Sequence, residues 1–264
     1  MTSGTTGRYR APAGLLRPLA LCDGVRVAFT GRAGGVSSEP FGALNLSAGV
    51  GDAPTAVASN RDLVLRALAP EVARLAWLRQ VHGTTVLRVS DSPGITQPAA
   101  AGQAPAADAA YTDVAGVALG VLGADCAPVL IADPLARVVG AAHAGRPGMA
   151  AGVAAALIAA MTRAGAEVTR MRAIIGPAIC GRCYEVPASM RAEVEAAVPG
   201  SGCTTRNGTA GIDLRAGLRG QLARHGIAEI ADDARCTAES AELFSYRRDG
   251  TTGRFAGLIW LTPR

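Results

Sequence analysis

The chain has 264 residues, 49% of them hydrophobic and 18% charged, enough for a sizeable buried core and too apolar for a disordered chain. Its formal net charge of +5 is modest, and all 26 basic residues are arginine because the sequence contains no lysine. A Walker lysine, a Schiff-base lysine and a lysine-rich nucleic-acid stripe are thereby excluded.

The arginines are spread along the chain, which argues against a nucleic-acid partner. The opening stretch "MTSGTTGRYRAPAGLLRPLA" has no continuous apolar run of the kind a signal peptide needs. The longest apolar stretch, 149–161, is too short to span a bilayer. Six cysteines at 22, 126, 180, 183, 203 and 236 are too sparse for a disulfide framework. A cytoplasmic, monomeric enzyme with free or metal-bound thiols is expected.

In chain order, residues 1–24 read as an N-terminal extension and first strand region leading into a single domain over 25–264. The segment 25–30 reads as a strand feeding the glycine-rich loop "TGRAGGVSSEPFG". A helix is expected over 56–68 with Thr55 as its N-cap, and the alternation of "TTVLRV" predicts a strand over 84–89. Residues 90–107 read as a Pro/Gly/Ala-rich loop. Further on, 149–164 reads as a buried helix, 187–198 and 214–225 as amphipathic helices, and "FAGLIWL" over 255–261 as a closing strand. Without repeats or a linker, the economical fold is one α/β domain, a mixed sheet flanked by helices.

The stretch "GADCAPVLIADPLARVVGAAHAG" over 123–145 reads as a hairpin. With Pro134-Leu135 at its tip, Cys126 and His143 stand opposite each other on one face, with Cβ atoms about 5 Å apart. Together with His82 in "QVHG", they make a set of two imidazoles and one thiolate that suits catalytic zinc. Two other readings stay open. Cys126 and the histidines are ordinary buried residues, or Cys126 and His143, with Asp125 nearby, form a nucleophile pair.

Other motifs carry less. The CxxC of Cys180 and Cys183 lacks a visible second pair. Pro177 and that CxxC evoke the nucleobase deaminases, but no glutamate stands two residues after His143, so that fold is rejected. Arg32, Gly34, Gly35 and Ser37 offer a guanidinium and backbone N–H groups to an anion. In "SYRRDG", read as extended, only one of Arg247 and Arg248 is expected to face a site. His225 reads as a helix C-terminal residue without a catalytic role.

Taken in order, "GRAGGVSS…LNLS…GD", "QVHG", "ADA…T", "GADCAPVLIADP…VVGAAHAG", "GPAI…CYEV" and "FSYRRDG…TGRFAGLIWL" closely resemble a bacterial family. It is described variously as multicopper polyphenol oxidase, laccase-domain protein, peptidoglycan editing factor and purine nucleoside phosphorylase. The resemblance spans about residues 25 to 262. It implies a single-domain α/β sandwich with one metal, zinc or alternatively copper, held by His82, Cys126 and His143. It further implies phosphorolysis of adenosine, inosine and methylthioadenosine by phosphate, with adenosine deamination as a side activity. By motif position, Cys126, His143, Asp125 and Gln80 carry the chemistry, while Arg32, Asn45, Asp108 and Arg247 hold substrate or phosphate. The alternatives are a copper-dependent phenol oxidase and a Cys–His hydrolase editing cell-wall precursors. The chain departs from the family at "HAGRPG", where Arg146 and Pro147 replace Trp and Arg, and at Leu218, where asparagine is frequent.

Overall fold

The computed structural model describes residues 15–16, 18–90 and 104–264. The first half contains β1 (Leu19–Cys22), β2 (Val25–Phe29), α1 (Pro54–Leu68), β3 (Arg74–Trp77), β4 (Val86–Arg88), β5 (Ala109–Thr112), β6 (Val117–Gly123), β7 (Ala127–Asp133) and β8 (Val138–Ala144). The second half contains α2 (Arg146–Ala151), α3 (Val153–Arg163), β9 (Arg172–Ile175), α4 (Ala188–Ala197), β10 (Gly202–Thr204), β11 (Ala210–Ile212), α5 (Leu214–Arg224), β12 (Glu229–Asp232), α6 (Tyr246–Asp249) and β13 (Phe255–Leu261).

The α/β sandwich has two large mixed sheets. One runs β12-β9-β7-β8-β5-β4 and the other β1-β2-β13-β6-β3, with β10-β11 as a separate ribbon. Each is mostly antiparallel with parallel pairs at its margin: β12 with β9, β5 with β4, and β6 with β3. Every residue of β7, β8 and β13 is buried. Such strands read as unbroken apolar runs because both of their faces are covered.

Alternation along β7 assigns the layers. Val129 and Ile131 pack with Leu157, Met161, Leu218 and Leu222 on the helical side. Leu130 and Ala132 join Val27, Phe29, Val139, Ile174 and Ile259 between the sheets. On the far side, Val64 and Leu68 of α1 cover Leu75, Trp77, Leu258 and Trp260. The order of layers is therefore helices, sheet, sheet, helix. Among the described residues, no helix is long and apolar enough to cross a membrane.

Several local expectations are corrected. Helix α1 starts at Pro54 with Ala53 at its N-cap and no side-chain cap, so Thr55 lies inside the first turn. The single helix expected over 149–164 is two, broken at Gly152, whose φ of 86° ends one and begins the other. The hairpin register is displaced by two residues: Pro128, not Cys126, stands opposite His143, and residues 134–137 form the loop. Because side chains alternate with period two, that displacement leaves Cys126 on the His143 face. Residues 19–22, inside the expected first strand region, form β1 and pair with β2. Residues 1–14, 17 and 91–103, covering most of the expected extension and of the expected 90–107 loop, lie outside the described residues.

Candidate functional site

His143 near the end of β8, Cys126 immediately before β7, and His82 in the loop after β3 converge at one end of the sandwich. One ligand atom from each lies within 4.8 Å of the others. The Cys126 Sγ is 3.8 Å from His82 Nε2, and the two imidazoles meet edge to face with centroids 4.8 Å apart. Gly145 leaves room for this cluster, since a Cβ there would stand 2.7 Å from Cys126 Sγ and 2.9 Å from His82 Cδ2.

One fully buried carboxylate orients two of the three groups. Asp108 accepts from the N–H groups of Val81, His82 and Gly83, at 3.2, 2.9 and 2.7 Å, which fixes the loop presenting His82. Its Oδ1 is also 2.9 Å from His143 Nδ1, which leaves Nε2 to face the cluster. This is the carboxylate–histidine pairing that supports metal-binding imidazoles. His82 itself has φ 60°, a conformation that costs about 1–3 kcal/mol and needs such a tether.

The electrostatics agree with the geometry. Burial pushes the Cys126 thiol up, but hydrogen bonds from His143 and His82 outweigh it and hold it at about 6. Burial pushes His143 down, yet Asp108 and Cys126 overcome that and raise it to about 9. Burial likewise opposes ionisation of Asp108, and His143 with the Gly83 and Val81 amides keeps it below the usual carboxylate range. A thiolate, two imidazoles and an ordered carboxylate fit a borderline-soft divalent ion.

The cluster opens into a cavity of about 770 Å³ whose wall includes Arg61, Arg79, Arg146, Arg247 and Arg254, with Tyr184 and Tyr246 among them. Arg247 lies over the Tyr184 ring at 5.2 Å, and Arg254 faces Tyr246 at 6.0 Å. Burial lowers the Arg61 guanidinium to about 10 and also lowers Arg254. Burial raises the Tyr184 phenol above its ordinary value against the opposing pull of Arg146.

Asp125 also lines this cavity and has φ 106°, a strained backbone for a residue with a side chain. Its carboxylate accepts from Thr237 Oγ1 at 2.6 Å, Ser245 Oγ at 2.7 Å and the Arg247 N–H at 2.6 Å. Gln80 lines the wall, and its amide makes both bonds to the Leu122 backbone. That locks the end of β3 to β6.

Three residues expected to hold substrate are placed elsewhere. Asp108 is sealed behind His143 with both oxygens occupied. Asn45 is buried, donating to Ser47 O and Asp52 and accepting from the Ser47 and Arg254 N–H groups, so it steadies Arg254 from behind. Arg32 donates to Gly42 O and lies near the carboxylates of Glu39 and Asp249. Ser37 is likewise bound to Asp52. Arg247 does face the cavity. It does so from the short helix α6 instead of a strand, while Arg248 turns inward to Thr237 O, Ser240 O and Leu243 O. His225 caps the C-terminus of α5.

Arg61 comes from α1 and Arg254 from the approach to β13, while Arg79 and Tyr184 sit beside Gln80 and Cys183 with no motif of their own to mark them. Arg146, the departure in "HAGRPG", lines the same wall.

Comparison with known proteins agrees with this architecture. The family described as multi-copper polyphenol oxidoreductase laccase matches residues 26–262. A protein of Streptomyces griseus named purine nucleoside phosphorylase is 52% identical over 234 residues, covering 89% of this chain and 93% of its own. A Streptomyces coelicolor protein of the same name is 50% identical over 239 residues, covering 90% and 96%. The crystal structure of YlmD from Geobacillus stearothermophilus superposes with a TM-score of 0.86 at 33% identity, covering 97% of this chain and 99% of that one. The chain belongs to the multi-copper polyphenol oxidoreductase laccase family.

Proposed function

We propose that the chain is a metal-dependent purine nucleoside phosphorylase, converting adenosine, inosine or methylthioadenosine and phosphate into free base and ribose 1-phosphate. Deamination of adenosine is its side activity, zinc its metal and the cytoplasm its place of action. The names of its relatives support the reaction class. The observation that carries the reading is the placing of the His82–Cys126–His143 cluster in a cavity walled by five arginines and two tyrosines.

In phosphorolysis a phosphate oxygen bonds to the ribose C1′ as the C1′–N9 bond breaks, and the departing electron pair goes to the purine. Several guanidiniums on one wall can hold the phosphate dianion in line with that bond. Desolvation by the cavity strengthens the attraction. The Tyr184 phenol, kept neutral by its raised pKa, is a hydrogen-bond donor to the leaving base. Asp125 is immobilised by three donors and offers the remaining lone pair of Oδ2 to a ribose hydroxyl or a purine N–H. Gln80 and Asp108 position the wall and the cluster. A zinc ion held by His82, Cys126 and His143 would supply Lewis acidity and water activation near neutral pH.

One observation favours a second reading. The lowered thiol of Cys126 beside a raised His143 resembles an activated nucleophile pair, as in a metal-free hydrolase. A copper phenol oxidase is less favoured, because three histidines in the sequence cannot build several histidine-rich copper centres.

The test is to incubate metal-quantified protein with inosine or adenosine, with and without phosphate, and to separate the products chromatographically. Base and ribose 1-phosphate forming only with phosphate, and lost after chelation, support the proposal. Chelator-resistant amide hydrolysis blocked by thiol alkylation supports the hydrolase. Oxygen uptake with a phenol in proportion to bound copper supports the oxidase.

A further inference from the structure

A second cluster of metal-ligating groups lies outside the cavity, in Cys180, Cys183, Cys236 and Glu239. One ligand atom from each lies within 4.8 Å of the others. The CxxC that has no partner nearby in the sequence finds one 53 positions further on (183 to 236), through a bridge between Ala178 and Cys236.

The two halves are built alike. In the first, the N–H groups of Cys183 and Tyr184 both donate to Cys180 O, at 2.9 and 3.0 Å. In the second, those of Glu239 and Ser240 both donate to Cys236 O, at 3.1 and 2.9 Å. Cys-x-x-Cys and Cys-x-x-Glu thus sit on matching tight turns that present their first and fourth residues to one point. Two short-spaced turns facing each other form the usual frame of a tetrahedral thiolate site.

Hydrogen-bond donors reach two of the three sulfurs. The Cys180 N–H donates to Cys236 Sγ at 3.3 Å. The Arg206 guanidinium donates to both Cys183 Sγ and Glu239. Three thiolates and a carboxylate around a dication leave a net charge of about −2, which this guanidinium halves. Arg206, Cys183 and Glu239 also line a surface cavity of about 190 Å³, a path by which an ion reaches the cluster.

We propose that Cys180, Cys183, Cys236 and Glu239 form a second, structural site for a thiophilic divalent cation of the zinc class, distinct from the His82–Cys126–His143 cluster. The site joins the two segments that hold Asp125: Ile179, next to Cys180, donates its N–H to Asp125 O at 3.0 Å, and Thr237, next to Cys236, holds the carboxylate. An ion here would stitch the support of the cavity wall without touching substrate.

The test uses full-length protein purified under reducing conditions, loaded with zinc and freed of excess, with metal counted per chain by mass spectrometry. Wild type should hold about two ions per chain and His82→Ala/His143→Ala about one, since the second set has four ligands of its own. Cys180→Ser and the exposed, fold-sparing Glu239→Gln should each lose the second ion and keep the first. Cobalt loaded into His82→Ala/His143→Ala should give the intense thiolate charge-transfer bands of a tetrahedral sulfur site. In wild type, alkylation of Cys180 and Cys183 mapped by peptide mass should be slowed by zinc. A metal count unchanged by Glu239→Gln and Cys180→Ser, or alkylation indifferent to zinc, overturns the proposal. So does a Cys180–Cys183 disulfide in the zinc-loaded, reduced protein. None of these readouts depends on nucleoside turnover.

Discussion

Replacing Asp108 by asparagine keeps the volume of the side chain and removes the charge that tethers His82 and His143. In the native arrangement Oδ1 serves Val81 N, His82 N and His143 Nδ1, while Oδ2 serves Val81 N and Gly83 N. An asparagine has one acceptor oxygen. With its NH2 at the Oδ2 position it confronts the Gly83 N–H. With its NH2 at the Oδ1 position it confronts the His82 N–H and the His143 ring. Either choice leaves at least one buried donor unsatisfied, about 1–3 kcal/mol. Loss of the ionic partner of buried His143 brings the expected cost to about 3–5 kcal/mol. Zinc affinity at His82–Cys126–His143 should fall about 10–100-fold, as for other carboxylates that support metal-binding histidines. Denaturant unfolding of the metal-free protein measures the first quantity, and zinc competition against a chromophoric chelator measures the second. Unfolding free energy within about 0.5 kcal/mol of wild type, with affinity within about twofold, would refute the positioning role of Asp108.

Three further expectations follow from the same geometry. In metal-free protein, the Cys126 thiolate should appear as pH rises through about 6, read by ultraviolet absorbance and absent in Cys126→Ser; ionisation at the ordinary thiol value of about 8.5 contradicts the coupling to His143 and His82. Gly145→Ala should abolish metal binding at the first cluster while the protein still folds, because its Cβ would stand 2.7 Å from Cys126 Sγ; circular dichroism and metal counting decide it, and a full metal complement counts against the packing described. Arg247→Gln should raise the phosphate KM more than it lowers kcat with the nucleoside saturating, and an unchanged phosphate KM removes Arg247 from the anion-binding wall.

Sequence reasoning was strongest where a local period or motif determined the structure. The run over 255–261 reads as a strand and is one, because burial on both faces demands an unbroken apolar segment. Residues 214–224 form the expected helix, with Asp213 as its N-cap accepting from the Ala216 N–H. A hairpin tip at Pro134-Leu135 puts Cys126 and His143 on one face, and the observed register is displaced from it by two residues. The conclusion survived because alternation has period two.

What was missed depends on distance along the chain. Nothing local separates one sheet from two, since both cores draw on alternate residues of the same strands. Asp108 reads from its motif as a substrate ligand, and only the fold shows it sealed behind His143. Cys180 and Cys183 look unpartnered until the chain returns with Cys236. The arginine wall is likewise gathered from α1, the segment after β3, the start of α2, α6 and the approach to β13.

The most direct test of the central claim is phosphorus NMR of inosine mixed with phosphate and zinc-loaded protein, comparing wild type with Cys126→Ser. The account predicts a ribose 1-phosphate resonance growing at the expense of inorganic phosphate with wild type, and none with the variant. An unchanged phosphate signal in the presence of zinc-loaded wild type, or equal product from both proteins, would contradict it.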